Sequence, residues 1–272
     1  MRKAVNEGST ILHYQHRGGL EDPEFLRRIG ELSVKSDRVW LAALSVGLGF
    51  TLIAAYLFEF SPTGKFLAYA GLSIRASLYF RAGVVLEGCG GEVLSDLFKL
   101  GLVAGIFEIL VDWGLTHWIS NGRLVYLTGN DVVLLASPLW MPVAWACVIA
   151  ELGYPAMRLF RWLKASMTTN RAAVIASLLT GLAASVTVGF YEYLAYRANL
   201  WRYEKANVML GDSYALYIPF GEFLMFLAIL PIGARVLSMN HRRQAAFIEG
   251  GAAFALAIAL GYALAYFLLE VR

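Results

Sequence analysis

The chain alternates long apolar runs with short polar connections. Six runs are apolar over roughly 20 residues, the length a helix needs to cross the hydrocarbon, and they cover 39–60, 95–120, 131–153, 171–197, 213–234 and 245–269. A seventh, 66–88 (FLAYAGLSIRASLYFRAGVVLEG), holds Arg75 and Arg81 inside an otherwise apolar sequence. An arginine at the centre of a span costs about 2.5–3.5 kcal/mol on insertion scales, so this run is either a span or a helix lying at the interface. Ahead of the first run, 24–36 (EFLRRIGELSVKS) sets Phe25, Ile29 and Leu32 at helical spacing with Arg27, Arg28 and Lys35 opposite, the pattern of a short amphipathic surface helix. The chain divides accordingly into an N-terminal segment, 1–38, and a transmembrane domain, 39–272.

Charge orients the runs. Seven Lys and Arg precede residue 39, and the connections 158–171 (RLFRWLKASMTTNR) and 235–243 (RVLSMNHRR) are also basic. By the positive-inside rule all three are cytoplasmic. An even number of crossings must then precede residue 158, which is met when 66–88 spans. The expected architecture is an all-α polytopic bundle of about seven transmembrane helices, N-terminus cytoplasmic and C-terminus outside, most simply in a prokaryotic plasma membrane. The acidic connection near Glu87, Glu92 and Asp96 runs against this rule, because the topology puts it inside. The first 38 residues hold no secretory apolar core, so the first span is expected to act as an uncleaved anchor.

Composition agrees with the membrane reading. Of 272 residues 58% are apolar, against roughly 45–50% in soluble domains. Charged residues make up 16%, and the net charge of +3 is spread along the chain, which leaves no footprint for nucleic acid. Cys89 and Cys147 match no metal or disulfide spacing and read as small buried hydrophobes.

Two parts of the chain echo each other. The first runs from Glu108 and Asp112 through Trp118 and Tyr126 to SPLWMPVAW at 137–145. The second runs from Tyr191, Glu192 and Tyr196 through Trp201, Tyr203 and Gly211 to YIPFGEF at 217–223. Each is a helix with an acid in its outer half, a tryptophan at its exit, a short loop and a returning helix with proline in its first turns. Both hairpins point the same way, compatible with a parallel repeat of helix pairs. Pro138, Pro142 and Pro219 are expected to start or kink their helices, and the glycine-rich last run, 249–267, offers small residues for close helix approach.

The acids carry the candidate chemistry. Glu108 and Asp112 are four apart, one turn on one helix face. On the seven-span topology Glu192, Glu222 and Arg75 come to the same depth. Ionisable groups in lipid are expensive and face the bundle interior, paired or in a wet cavity. One reading is an ion-pair cluster that fixes packing, with Arg75 neutralising one or two carboxylates. Four acids against one arginine leave at least one carboxyl protonated by charge balance, and a protonated carboxyl in an apolar chamber can serve as a general acid.

Trp113, His117, Trp118, Tyr126, Trp140, Trp145, Tyr191, Tyr196, Trp201 and Tyr217 gather in the same outer half. An interfacial aromatic belt accounts for many of them. The alternative is an aromatic-walled substrate pocket whose π faces stabilise a developing carbocation. His117 is the lone histidine within a span, with His13, His16 and His241 outside, so neither a metal centre nor a haem is expected. No phosphate-cradling loop, nucleotide motif or acyl-transfer nucleophile is present, and no cofactor is expected.

The stretch Trp201 to Glu222, closing on YIPFGEFLMF, resembles the loop and returning helix of the integral-membrane carotenoid enzymes, the heterodimeric-type lycopene cyclases and related carotenoid hydratases, where a Pro-x-Glu-Glu-like motif follows an aromatic loop. The resemblance covers about a quarter of the chain. Gly221 stands where the cyclases carry a first acid, so only Glu222 matches. The resemblance implies that Glu222 takes part in protonating a polyene end group.

These readings converge on a membrane-embedded enzyme that acts on an isoprenoid or other lipid by carboxyl-driven protonation, giving cyclisation, hydration or isomerisation. Glu108 or Asp112 is the expected acid, Glu222 or Glu192 its partner or base, and Arg75 a counter-ion or a clamp on a polar head group. Its partners are membrane lipids and a hydrophobic small molecule; the sequence leaves self-association and assembly with other chains open. Two other classes fit the same residues: a small proton-coupled transporter using the carboxylates as a relay, and a structural or assembly subunit of a membrane complex.

Overall fold

The structure is a computed structural model that describes residues 19–88, 90–129, 131–239 and 242–271. His13, His16, Cys89 and His241 lie outside the described residues, as do residues 1–18 of the N-terminal segment. The described chain is mainly helical: α1 (Pro23–Gly30), α2 (Val34–Leu57), α3 (Pro62–Val85), α4 (Gly91–His117), α5 (Met141–Lys164), α6 (Thr169–Arg197), α7 (Tyr217–Phe226), α8 (Ile229–Ser238) and α9 (Arg243–Leu269). By length and composition α2, α5, α6, α9 and the α7–α8 unit Tyr217–Ser238 can each cross a membrane. The described chain is thus mostly helical, with five helices compatible with a membrane protein. Helices α3 and α4, of 24 and 27 residues, are comparable in length; α3 holds Lys65, Arg75 and Arg81, and α4 holds Glu92, Asp96, Lys99, Glu108 and Asp112.

Local sequence sets the boundaries. Asp22 caps α1 by accepting from the backbone N–H of Glu24 at 2.9 Å, and Pro23 fills the first helical position. The expected surface helix 24–36 is shorter than its apolar spacing suggested, because α1 stops at Gly30 and α2 begins at Val34. Phe25, Ile29 and Leu32 are buried as expected, but Arg28 is buried too. The span expected at 131–153 is displaced to Met141–Lys164. Its first ten residues form a small hairpin instead, β2 (Val133–Leu134) with β3 (Ser137–Pro138), so Pro138 ends a strand and only Pro142 sits in the first turn of α5. The run 213–234 is broken at Leu227–Ala228. Pro231, in the first turn of α8, has no N–H for the Leu227 carbonyl, which favours a new helix start there.

Helix α4 is the central element, packed on α3, α5, α8 and α9. Its Gly101 and Gly105 let α5 come within backbone contact. A Cβ at Gly101 would fall 2.6 Å from the Ala146 Cα, and one at Gly105 2.6 Å from the Pro142 Cα.

The two ends of the bundle differ. At one end the buried carboxylate of Asp96 accepts from Arg28 at 2.6 Å and from Arg243 at 2.6 and 2.8 Å. Arg158 pairs with Asp37 at 2.5 Å, and Arg161 donates to the Ile29 and Leu32 carbonyls. The acidic connection that offended the positive-inside rule is therefore matched by basic residues from α1 and α9. At the other end β1 (Arg123–Tyr126) pairs antiparallel with β4 (Trp201–Glu204), setting Tyr126 opposite Trp201 and Leu124 opposite Tyr203. Each strand is followed by a two-strand hairpin and then a returning helix: β2–β3 into α5, and β5 (Met209–Leu210) with β6 (Tyr214–Ala215) into α7.

Candidate functional site

Helical period selects which side chains meet. On α4, Glu108, Asp112 and Leu115 share the buried face, while Trp113 and His117 are turned roughly 100–140° away from it. On α6, Glu192 lies just over one turn from the helix end. The chain reverses after it through Asn199 at φ +62°, a left-handed position asparagine tolerates, and the Leu200 N–H returns to the Ala195 carbonyl at 3.0 Å. That reversal brings Trp201 back over Glu192, whose carboxylate accepts its indole N–H at 2.6 Å.

A cavity of about 120 Å³ lies between α3, α4, α5, α6, α7 and α9. Glu108, Asp112, Glu192 and Glu222 all line it, and each is buried. Asp112 accepts from Ser137 Oγ at 2.6 Å and from the Tyr126 hydroxyl. Glu222 Oε1 accepts from the Tyr262 hydroxyl at 2.6 Å. Glu222 Oε2 and Glu108 Oε2 are buried with no hydrogen-bond partner. The aromatic wall is continuous: Trp140 and Trp201 stack at 5.8 Å and 19°, Tyr126 stands edge-on to both, and Tyr69 leans on Trp140 at 5.4 Å. On the strands, burial and then the neighbouring Asp112 push the Tyr126 phenol well above its usual range, and burial and then Glu192 do the same to Tyr203. Both phenols stay protonated donors at the chamber's outer end.

Gly221 earns its place sterically. A Cβ there would fall 2.4 Å from Tyr262 Cδ1. The bare backbone admits the Tyr262 ring, and that ring carries the hydroxyl bound to Glu222. An acid at 221 would displace it.

Arg75 lines the same cavity, but its partner is a residue the sequence reading passed over. Arg75 Nη1 donates to Glu151 Oε1 at 3.1 Å, Tyr191 donates to Glu151 Oε2 at 3.0 Å, and Tyr79 is 3.5 Å from Oε1. Arg75 is thus a counter-ion to Glu151 on α5 and not to the four chamber acids. Glu151 also faces a second cavity of about 320 Å³ between α2, α5 and α6. The Arg75, Glu151 and Tyr191 side chains form the layer between the two spaces.

Of the expected site residues, Arg75, Glu108, Asp112, Tyr126, Trp140, Trp145, Tyr191, Glu192, Trp201 and Glu222 line the chamber. Trp113, His117 and Trp118 do not. They form an outward cluster at the end of α4, with Trp118 71% exposed, because their helical phase turns them from the acids. Tyr196 also lies outside, edge-on to Phe60. Tyr217 is buried in a ring cluster with Tyr203, Tyr262 and Tyr266, its hydroxyl donating to the Gly122 carbonyl at 2.9 Å. Sequence reasoning missed Glu151, Ser137, Tyr69, Tyr203 and Tyr262. Glu151 carried the signal that singled out Glu108, an acid inside an apolar run (WACVIAELGY), but displacing the span by ten residues had put it at the rim.

Among the described residues no three His, Cys, Asp or Glu side chains are grouped so as to hold a metal ion. No curated protein and no solved structure matches the chain. A family model described as a domain of unknown function, DUF6989, matches residues 109–269, which takes in Asp112, Glu151, Glu192, Glu222 and Tyr262 and begins one residue after Glu108. With more than half of its length matched, the chain belongs to the DUF6989 family.

Proposed function

We propose that this chain is a membrane-embedded enzyme that acts on an isoprenoid or other lipid substrate by carboxyl-driven protonation. One observation carries the reading: four buried carboxyl groups from three helices line a single aromatic-walled chamber, while the arginine beside them is held by a fifth acid. Without a cation of their own, at least one of the buried carboxyls is held as a neutral acid. Asp112 is occupied by Tyr126 and Ser137, which leaves the unpartnered Glu108 oxygen as the proton source and the free Glu222 oxygen as the acceptor. Glu108 gives its proton to one carbon of a substrate double bond, and the positive charge on the neighbouring carbon faces Trp140, Trp201 and Tyr126. Loss of a proton from an adjacent carbon to Glu222 gives an isomer, or a ring where a second double bond of the substrate has first bonded to the cationic carbon, with no net change of mass. Capture of water by the cation, with the surplus proton passing to Glu222, gives an alcohol. Exchange with solvent resets the two carboxyls. The likeness of 201–222 to carotenoid cyclases and hydratases supports the same assignment of Glu222.

The reading includes seven crossings in a prokaryotic plasma membrane, N-terminus cytoplasmic and C-terminus outside. Helix α4 buries Asp96, Glu108 and Asp112 against neighbours, and α3 holds Arg75 against Glu151 at 12% side-chain exposure while Arg81 sits near its end, where the side chain can reach the interface. The pairing of Asp96 with Arg28 and Arg243 removes the objection to a cytoplasmic 87–96 connection. The matching order of elements after α4 and after α6 supports a parallel repeat of helix hairpins.

The test is mass spectrometry of lipids from cells making the wild type or Glu108→Gln at equal levels. A species present only with the wild type supports the enzyme; identical lipid profiles contradict it. A second reading, a proton-coupled transporter, is favoured by the Arg75–Glu151 layer between the chamber and the α2–α5–α6 cavity. It requires water-borne thiol reagents to reach cysteines at 108 from one face and at Ala183 from the other, and protection of either site from both faces counts against it.

A further inference from the structure

Residues 131–140, DVVLLASPLW, do two things at once. The base of this segment is bound into the chamber. Ser137 donates to Asp112 at 2.6 Å, and Trp140 forms half of the stacked wall. Asp131 accepts from Tyr69 at 2.7 Å, lies 3.5 Å from the Trp140 indole nitrogen and pairs with Lys65 at 2.7 Å. Lys65 also donates to the Leu127 and Thr128 carbonyls at 2.6 and 3.0 Å, so this ion pair ties the hairpin to the start of α3. The tip is the reverse. Val132, Val133, Leu134 and Leu135 are 69, 41, 51 and 56% exposed, and Leu139 is 49% exposed. No charged residue occurs from Val132 to Trp140.

Four consecutive large apolar side chains held outward on a fixed hairpin make a patch that water does not favour. Their surroundings say what covers them. Trp113 and Trp118 stand outward at the end of α4, where an interfacial aromatic belt lies. Phe66, one residue after Lys65 on α3, is 69% exposed, as are Ile106 and Leu110 of α4 at 54 and 60%. Phe66 thus stands outward beside the base that Lys65 holds, so the exposed apolar surface of α3 runs up to the hairpin. A partner protein would need no such continuity.

We infer that the 131–140 hairpin is a wedge inserted into the adjacent lipid leaflet, and that the Lys65–Asp131 pair latches it over the chamber, so a hydrophobic ligand reaches the acids from the leaflet and not from water. The inference stands apart from the chemistry proposed for the acids, and its test needs no activity.

The probe is an environment-sensitive fluorophore (NBD) on Leu134→Cys, and separately on Val132→Cys, in a Cys89→Ser/Cys147→Ser background reconstituted in phosphatidylcholine/phosphatidylglycerol vesicles. Both positions are exposed, and monodisperse elution checks folding. The expected result is blue-shifted emission, quenching by shallow doxyl lipids at least about three-fold stronger than by iodide, and the reverse for the same probe at Asp212. Equal or stronger quenching by iodide overturns the wedge, as does insensitivity to both quenchers with cross-linking to a second copy, which identifies a protein cover. For the latch, Lys65→Gln is expected to raise labelling of Val188→Cys in the chamber by a lipid-soluble maleimide several-fold, with no rise for a charged thiosulfonate. Unchanged labelling by both overturns the latch.

Discussion

Replacing Asp96 by asparagine tests the account of how one end of the bundle is held. The Asp96 side chain is 1% exposed and that of Arg28 6%, and they meet at 2.6 Å. Breaking a buried ion pair from one side leaves an unpaired charge and costs about 3–5 kcal/mol. Two features pull the figure toward the lower limit. Glu92, 49% exposed, already lies 3.5 Å from the same Arg28 nitrogen and can move closer. Arg243, at 40% exposure, finds water when its partner goes. The net expectation is a loss of about 3 kcal/mol, a shift of about two orders of magnitude in the ratio of folded to unfolded protein, or roughly 6–12 °C in Tm for a domain of this class. Thermal unfolding of the purified protein in mild detergent, read by intrinsic fluorescence, measures it. Glu92→Gln is the control and should cost no more than about 1 kcal/mol. The double change Arg28→Met/Asp96→Leu should recover most of the loss, since it removes both charges. An Asp96→Asn loss no larger than that of Glu92→Gln would refute the reasoning, because the charge would then be solvated and the topological argument built on it would fall.

Three further outcomes follow from the packing and the ribbon. Gly101→Val places side-chain carbon against the α5 backbone and should cost about 1–3 kcal/mol in the same unfolding assay, whereas Gly30→Ala, with nothing within 4 Å, should be close to neutral. Trp201→Phe keeps an aromatic ring but loses the indole N–H that donates to Glu192 and should cost about 1.5–3 kcal/mol, while Trp118→Phe at the exposed end of α4 should fall within about 0.5 kcal/mol of wild type. The Glu204 carboxyl is held below its ordinary value by the hydrogen bond from Arg202 at 2.8 Å, with Arg123 at 3.3 Å adding to it. Its contribution to the β1–β4 ribbon is therefore full above the unfolded carboxyl range and fades as pH falls through the lowered folded value; both residues being exposed, Glu204→Gln should flatten the acid limb of stability only slightly.

The long helices were legible because twenty-residue apolar runs leave little else to form in lipid. Where the reading slipped, local chemistry explains it. VVLLASPLW is apolar enough to look like the start of a span, but Ser137 and Pro138 pair across a tight turn as strands, and the helix waits for Met141 and then runs on through Arg158 and Arg161, which interhelical partners make tolerable. Glu108, Asp112, Glu192 and Glu222 could be found because an acid in an apolar run is conspicuous. Among their donors Tyr126 and Trp201 stood out as pocket aromatics, but which acid each binds did not, and Ser137 and Tyr262 were not visible at all, because loop reversals and a helix far along the chain bring them in. Nor could composition reveal that Arg75 belongs to Glu151, since that pairing depends on the register of α3 against α5. The outward cluster of Trp113, His117 and Trp118 shows the converse: nearness in sequence to an acid does not place a residue on its face.

The chemistry proposed for the chamber acids is protonation of a lipid. The most direct measurement incubates purified protein with host lipid extract in D2O buffer and follows one deuterium into a non-exchangeable C–H position of a product by mass spectrometry. The expected result is a product one mass unit heavier than in H2O for the wild type and none for Glu108→Gln. A lipid product formed in D2O without deuterium on carbon, or an equal product from Glu108→Gln, would contradict it.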